Sequence, residues 1–371
     1  MVHLLRERWA PPAAGHRERI GEEGEVVRLR IAQVVDEPSW DAAVAGAGGS
    51  VFHSSAWAHY VCAERPNAVP QFLTLEDGAA IPRAFGLGFR ARSRRPVLGA
   101  VTGRLWLDAL PVASSSDGAA LREFMTLLEA EARRAGDLEL FVGSFGSGDG
   151  TAVLLEAGFL PRHRIEFVIE LDRPEEQLWM AMDGARRRNV NKSGRLGVTI
   201  HELSTAEGVV ELRRLQVASG ERIIRRGGPR IGLQVPDEQD PIRVLLERGA
   251  GRIFAARVGP RWGSAVLLAC FNGKVYHVLS GSSPAGLEAQ ATTLLFWEAI
   301  KLYRREGARG FNLGGCAGEA VSEDSPEHGV YAYKSGFGAE RHECVSGHKV
   351  LRQMFHKTLG LLKRASGGFV W

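Results

Sequence analysis

Apolar and polar residues follow one another along the chain in segments whose spacing changes between that of a helix and that of a strand. Residues 127–144, LLEAEARRAGDLELFVGS, predict an amphipathic helix that stops at Gly136 and continues as a short apolar strand. Residues 298–315, EAIKLYRREGARGFNLGG, predict the same order around Gly307. The same local unit is therefore written twice in the sequence.

A second feature recurs at nearly the same distance. The two glycine stops lie 171 positions apart, and two later Gly-Phe pairs, which begin at Gly158 and Gly336, lie 178 positions apart. Chance seldom matches a helix–glycine–strand unit and a second signature at a similar offset. The pattern predicts a two-copy internal repeat that spans most of the chain.

The second half contains further clear elements. EEQLWMAMDGARRRNVNKS predicts a helix, and GVTIHEL, RIFAARV, SAVLLACF and VYHVLSG predict strands. Asn272-Gly273, between the last two of these strands, is a strong signal for a tight hairpin.

These elements predict four segments, divided near Pro174 where a polar run interrupts the pattern. They are a loose leader (1–28), a first domain (29–172), a second domain (173–350) and a basic C-terminal helix or tail (351–371).

Composition narrows the class of protein. Of 371 residues, 44% are hydrophobic and 24% charged, which is typical of a globular chain and excludes a wholly disordered or fibrous one. The sequence has no apolar run long enough to span a membrane and its N-terminus lacks a signal-peptide core, so we expect a cytoplasmic enzyme or binding protein. The four cysteines are far apart, so neither a disulfide framework nor a metal site is indicated.

Basic residues are concentrated in places where phosphates could bind. On the helix predicted after Glu175, Arg188 and Lys192 are four residues apart and share a face. They could neutralise the phosphates of a nucleic acid or nucleotide, or simply form a basic helix end. A second cluster lies in SGERIIRRGGPR and contains Arg222, Arg225, Arg226 and Arg230.

The order of motifs in the second half resembles the Fem-type aminoacyltransferases, tandem-GNAT enzymes that transfer amino acids from aminoacyl-tRNA to peptidoglycan precursors. The resemblance rests on Trp179, RRRNVNKSGRLGV, VYHVLSGSSP, TLLFWEAIKLYRREG, GFNLGG and GVYAYKSGFG, and more weakly on FHSSAWA in the first half. It implies an α/β (α+β) fold of two tandem GNAT-like domains, each a mixed, mostly antiparallel sheet flanked by helices.

The same resemblance implies a function and a site. Lys334, with Tyr333 beside it, would stabilise the oxyanion formed when an amine attacks the aminoacyl ester, and we expected this lysine on a strand or turn before Gly336. The residues expected in substrate binding are Arg188, Lys192, Arg222, Trp57, His59, Gly314 and Gly315, of which Arg222 comes from the arginine cluster and not from the resemblance. No cofactor is implied, since aminoacyl-tRNA is a co-substrate.

Three departures concern the acceptor. Asn312 stands where the family usually has Asp, Gly143-Ser144 replaces a common Asp-Pro, and His59 lies where some members have lysine. The acceptor is therefore expected to be either a small natural-product amine or a peptidoglycan precursor. No general base is singled out among His277, Glu319, Glu327 and His328.

Two other functions stay open. One is an acyl-coenzyme A-dependent N-acyltransferase, for which the loop GSFGSGDG (143–150) could approach a phosphate, although neither half has the Q/R-x-x-G-x-G/A pattern. The other is a non-catalytic module that binds tRNA or a nucleotide. The sequence does not indicate the oligomeric state.

Overall fold

The computed structural model describes residues 16–20, 26–93, 102–114, 118–147, 150–225, 237 and 239–353. Its strands are β1 His16–Ile20, β2 Val26–Ala32, β3 Ala68–Glu76, β4 Pro82–Ala91, β5 Gly103–Leu107, β6 Val112–Ala113, β7 Asp137–Val142, β8 Leu160–Glu170, β9 Thr199–Glu202, β10 Gly251–Val258, β11 Arg261–Phe271, β12 Lys274–Ser282, β13 Gly310–Ala317 and β14 Glu340–Val350.

The α-helices are α1 Glu37–Gly46, α2 Ser55–Glu64, α3 Ala119–Arg134, α4 Thr151–Glu156, α5 Glu175–Ala181, α6 Gly184–Arg195, α7 Thr205–Arg225, α8 Ile242–Glu247, α9 Pro284–Glu288, α10 Ala291–Arg305 and α11 His328–Ser335. Two short 3₁₀ helices cover Val51–His53 and Gly318–Val321. Among the described residues, no helix is both long enough and apolar enough to cross a membrane.

One continuous sheet joins the two halves in the order β1-β2-β3-β4-β5-β7-β14-β8-β13-β12-β11-β10-β9, with β6 beside β4. Of these pairings, β5–β7 and β12–β13 are parallel and the rest are antiparallel. Helices flank the sheet, as expected for the α/β class. The predicted repeat is visible as two helix–glycine–strand units, α3–Gly136–β7 and α10–Gly307–β13, in which both glycines have positive φ.

The two halves exchange their last strands. β8 precedes the expected boundary at residue 172, yet it pairs with β13 and β14 rather than with β7. The apolar face of β8, which includes Ile165 and Phe167, packs into the core under α10. Conversely, β14 pairs with β7, and its Val345 packs into the core under α3. Each core thus depends on a strand from the other half.

Some elements differ from the sequence-based expectations. The helix expected from Glu175 to Ser193 is two helices, because the Asp183 side chain accepts a hydrogen bond from the N–H of Arg186 and starts a new helix, α6. Within the leader that we expected to be loose, residues 16–20 form a strand paired with β2. The expected C-terminal helix or tail (351–371) lies outside the described residues apart from its first three positions, which follow the end of β14 at Val350.

A buried carboxylate holds the junction of the halves together. Glu166, on β8, is 1% exposed and accepts hydrogen bonds from Tyr276 (2.7 Å), from the Asn312 amide (2.7 Å) and from the Gly146 N–H (3.1 Å). Gly146 belongs to the first half, while Tyr276 and Asn312 belong to β12 and β13. Since a buried charge is tolerated only when it is hydrogen-bonded, this arrangement fixes the relative position of these elements.

The junction explains one departure from the Fem pattern. An aspartate at position 312 would place a second carboxylate where the Asn312 amide nitrogen now donates to Glu166. Two buried carboxylates at that distance repel each other, which raises the pKa of at least one of them. Asparagine is therefore the residue that suits Glu166.

We expect Asn312→Asp to lower the free energy of unfolding by about 3–5 kcal/mol at pH 7, the usual cost of an uncompensated buried charge. The loss should shrink as the pH falls toward 5, because a carboxyl whose folded-state pKa is raised contributes stability only while it is protonated. Guanidinium denaturation at several pH values measures both effects. Asn191→Asp, on the exposed side of α6, is the matched control and should change stability by less than about 0.5 kcal/mol. A loss below about 1 kcal/mol for Asn312→Asp would contradict the structural role of Glu166.

Candidate active site

The parallel strands β12 and β13 separate after a short paired stretch. They pair from Lys274–Gly310 to Tyr276–Asn312, and both strands then continue without pairing to each other. Gly314, with φ +73°, lies where they part, and its N–H donates to the Asn312 side chain at 2.7 Å. The separation opens the sheet in the middle of the second half.

The first half has no equivalent opening in the residues described. β5 pairs with β7 along its whole length, and further hydrogen bonds from Gly143 N–H to Leu107 and from Phe145 N–H to Asp108 extend the contact. A side chain at Gly143 would collide with the Asp108 carbonyl, at 2.3 Å. The candidate site therefore lies in the second half only.

Lys334 lies beside the opening. Its ammonium donates to the Gly315 carbonyl at 3.0 Å, and a Cβ placed on Gly314 would be 3.3 Å from the same nitrogen. The structure thus brings together Lys334, the expected catalytic residue, and Gly314 and Gly315, two of the expected binding residues. It places Lys334 on the helix α11, whereas we expected a strand or turn, because the segment from His328 to Ser335 forms regular helical turns before Gly336.

The surroundings of Lys334 lower its pKa. Burial, and to a smaller extent the Arg164 guanidinium, lower the pKa of Lys334, while Cys316, Glu166 and Glu327 act in the opposite direction, and the resulting pKa is about 8. The side chain can therefore change its charge near neutral pH, which is a common property of residues in active sites.

His277 is the nearest imidazole. Its Nδ1 lies 3.2 Å from the Leu313 carbonyl, and its Nε2 is buried with no hydrogen-bond partner among the described residues. Burial, followed by the charge of Lys334, lowers the pKa of His277 to about 4. This histidine is consequently neutral at pH 7 and contributes no positive charge to the site.

Two of the other candidate bases, Glu327 and His328, bond to neighbouring backbone groups. Glu327 accepts from the Ala317 N–H at 2.8 Å, and His328 Nδ1 lies 3.1 Å from the Ala320 carbonyl. Both residues therefore help to shape the segment between β13 and α11.

Tyr333 holds α11 in place. Its ring packs against Phe337 and Phe296, the Arg186 guanidinium lies 4.5 Å above it, and its hydroxyl is 3.4 Å from the Thr293 hydroxyl. Burial raises the pKa of Tyr333 to about 12, so its hydroxyl keeps its proton at neutral pH.

Two of the predicted binding residues contact the connection between β12 and α10. Arg222 donates to the Ser282 carbonyl at 3.2 Å, and Lys192 donates to the Glu288 carbonyl at 2.8 Å. Arg188 is exposed one helical turn before Lys192 on α6, so the two share a face as expected. Arg225 ends α7, whereas Arg226 and Arg230 lie outside the described residues.

Trp57 and His59 lie apart from this group. The Trp57 ring is 7% exposed, packs against Phe52 and donates from its indole nitrogen to Asp108 at 2.8 Å. His59 is exposed and lies 2.6 Å from Glu37. No contact brings either residue to Lys334.

Sequence reasoning did not identify Arg164 and Glu166 as parts of the site. Both lie on β8, in RHRIEFVIE, where apolar and polar residues alternate. Such alternation is typical of a strand with one face in solvent, and nothing local shows that the polar face is covered by the other half of the protein.

The part of the chain that contains the opening and Lys334 matches a known family model. Residues 184–335 match the model of an acetyltransferase (GNAT) domain. No curated protein matches the chain.

Several solved structures share the fold. FemX aligns with a TM-score of 0.69 at 13% identity, covering 88% of this chain and 99% of FemX. A protein of unknown function from Bacteroides thetaiotaomicron aligns with a TM-score of 0.53 at 11% identity, covering 85% of this chain and 99% of that one. The C-terminal domain of a lysylphosphatidylglycerol synthetase from Agrobacterium fabrum gives 0.50 at 15% identity, with 84% and 91% covered. Residues 184–335 therefore form a GNAT-type domain, and the chain as a whole shares the fold of FemX.

Proposed function

We propose that this protein transfers an aminoacyl group from aminoacyl-tRNA to the amine of an acceptor and thereby forms an amide bond. The observation that carries the proposal is the position of Lys334, a half-buried ammonium beside the opening between β12 and β13. The acceptor is a small natural-product amine or a peptidoglycan precursor.

In this reaction the neutral acceptor amine attacks the carbonyl carbon of the aminoacyl ester. The carbonyl oxygen gains negative charge, and the Lys334 ammonium stabilises it. Collapse of the adduct breaks the bond to the ribose oxygen, which takes up a proton as the amide forms. A preoriented cation in a site of limited water access stabilises such a charge far better than bulk water does.

The connection between β12 and α10 gives a reason to prefer tRNA over coenzyme A as the donor. In GNAT enzymes that use coenzyme A, we expect free backbone N–H groups here for the pyrophosphate. In this protein the N–H groups of Ser282, Ser283, Gly286, Leu287, Ala289 and Gln290 all donate to groups of the protein itself. Few donors are left for a pyrophosphate.

Coenzyme A nevertheless remains the second candidate donor, because the domain that matches residues 184–335 is described as an acetyltransferase. The exposed basic face of α6, with Arg188 and Lys192, suits the phosphates of a tRNA acceptor end. Each donor predicts a different result in the same assay.

We expect transfer of a labelled amino acid from a mixture of charged tRNAs to an amine acceptor, and we expect ribonuclease pretreatment to abolish it. Thin-layer or mass-spectrometric detection of the amide product measures the transfer. Acetyl-coenzyme A supplied in place of charged tRNA should give no product. Product formed from acetyl-coenzyme A, or transfer that survives ribonuclease, would contradict the tRNA donor.

Lys334→Met should lower kcat by about 10²–10³, the usual effect of removing one donor to an oxyanion, because methionine has a similar shape but no charge. Lys301→Met is the matched control, since Lys301 lies on α10 with Glu298 as its ion-pair partner, and it should keep near-normal activity. Steady-state kinetics, with thermal unfolding to confirm the fold, measure the effect. Equal activity in the two variants would exclude the proposed role of Lys334.

Transfer should slow as the pH rises above about 8, because Lys334, whose pKa is lowered to about 8, then loses its charge. Below that pH the ammonium is present, and the rate should fall again only as the acceptor amine becomes protonated. A pH profile of kcat measures this, with intact charged tRNA quantified at each pH as a control for ester hydrolysis. A rate that keeps rising through pH 9.5 would mean that Lys334 acts without its charge.

A further inference from the structure

A cavity of about 280 Å³ lies at the junction of the two halves, separate from the opening beside Lys334. Its wall includes Val51 from the first half and Val168, Val275 and Gly310 from β8, β12 and β13. Neither Lys334 nor Gly314 lines it. The cavity therefore adjoins the site described above, with which it shares Glu166 and Asn312, but does not contain its lysine.

The interior of the cavity is suited to an apolar group. Three valines form its walls, and the polar groups at its base already bond to one another. The Glu166 carboxylate accepts from Tyr276, Asn312 and Gly146, and the Ser147 hydroxyl accepts from the Leu110 N–H. A ligand that enters the cavity finds few polar groups that lack a partner, so its inner part should be apolar.

The exposed edge of the cavity carries charged side chains. Lys274, Arg309 and Glu170 all line it and are all exposed. Lys274 donates to the Gly48 carbonyl at 2.6 Å, and Arg309 donates to the Asn272 carbonyl at 2.9 Å, which leaves further N–H groups on each side chain. The covered part of the Lys274 side chain and the like charge of Arg309 lower the pKa of Lys274, and the Glu170 carboxylate only partly offsets this effect.

Two cations thus face one carboxylate at this edge. A ligand whose single negative charge stays at this edge, away from the Glu166 carboxylate at the base, would relieve the repulsion between Lys274 and Arg309. A carboxylate matches this charge, and it can accept hydrogen bonds from both side chains.

We propose that this cavity binds a small amphiphilic carboxylate, with its apolar body against the valines and its carboxylate at Lys274 and Arg309. The proposal does not rest on the proposed transferase reaction. Gly310 provides a way to close it, because a Cβ there would meet only the Val168 side chain, at 4.0 Å, so that a larger side chain would extend into the cavity.

Isothermal titration calorimetry of the full-length protein with octanoate tests the proposal. Octanoate should bind. Acetate, which has the carboxylate but no apolar chain, and octanol, which has the chain but no carboxylate, should each bind at least about tenfold more weakly. Lys274→Gln and Arg309→Gln should each weaken octanoate binding by about tenfold, as expected for loss of one charge-assisted hydrogen bond. Lys301→Gln should bind as the parent protein does.

Gly310→Leu should abolish octanoate binding while thermal unfolding shows a folded protein. The two exposed charge variants keep the test decisive if that variant does not fold. The proposal is overturned if octanoate fails to bind, if octanol binds equally well, or if neither charge variant weakens binding.

Discussion

The hydrogen bonds to the Glu166 carboxylate are the constraint on which the rest of the structure depends. They reach this buried group from three elements, the first-half loop at Gly146 and the second-half strands that contain Tyr276 and Asn312. The loss of any one of them would leave this buried carboxylate with two hydrogen bonds and the Arg164 guanidinium, 3.7 Å away, which is costly because a buried donor or acceptor is then unsatisfied. The relative position of the two halves is therefore set by a polar interaction and not by apolar packing alone.

The exchange of β8 and β14 also holds the two halves together. Each strand completes a core that belongs mainly to the opposite half, so that the halves are expected to unfold together. Because β8 lies directly beside β13, the residues Arg164 and Glu166 reach the edge of the opening where Lys334 lies. The first half thereby influences the charge of the candidate catalytic lysine even though its own strands β5 and β7 are closed.

The charge of Lys334 follows from a balance of opposing effects. Burial and Arg164 favour the neutral amine, while Cys316, Glu166 and Glu327 favour the ammonium. The result is a pKa of about 8, which is close to neutral pH. A fully exposed lysine would be permanently charged and strongly hydrated, and would stabilise a developing oxyanion less well. The cavity beyond Glu166 adds a second region where charge and apolar surface meet at the boundary of the two halves.

The sequence by itself determined the repeat and the hairpin at Asn272-Gly273, and its resemblance to the Fem-type family implied the tandem GNAT fold. Local patterns carry the repeat and the hairpin, because helix stops, turns and alternating strands are set by neighbouring residues. Only the tertiary structure decided which strands are exchanged, that Lys334 lies on a helix, and that Trp57 is buried beside Asp108. It also revealed Glu166, whose place on an alternating strand looks like a solvent-facing position until the other half of the chain covers it. Contacts between residues more than a hundred positions apart decide burial, and burial in turn decides the charges at the site.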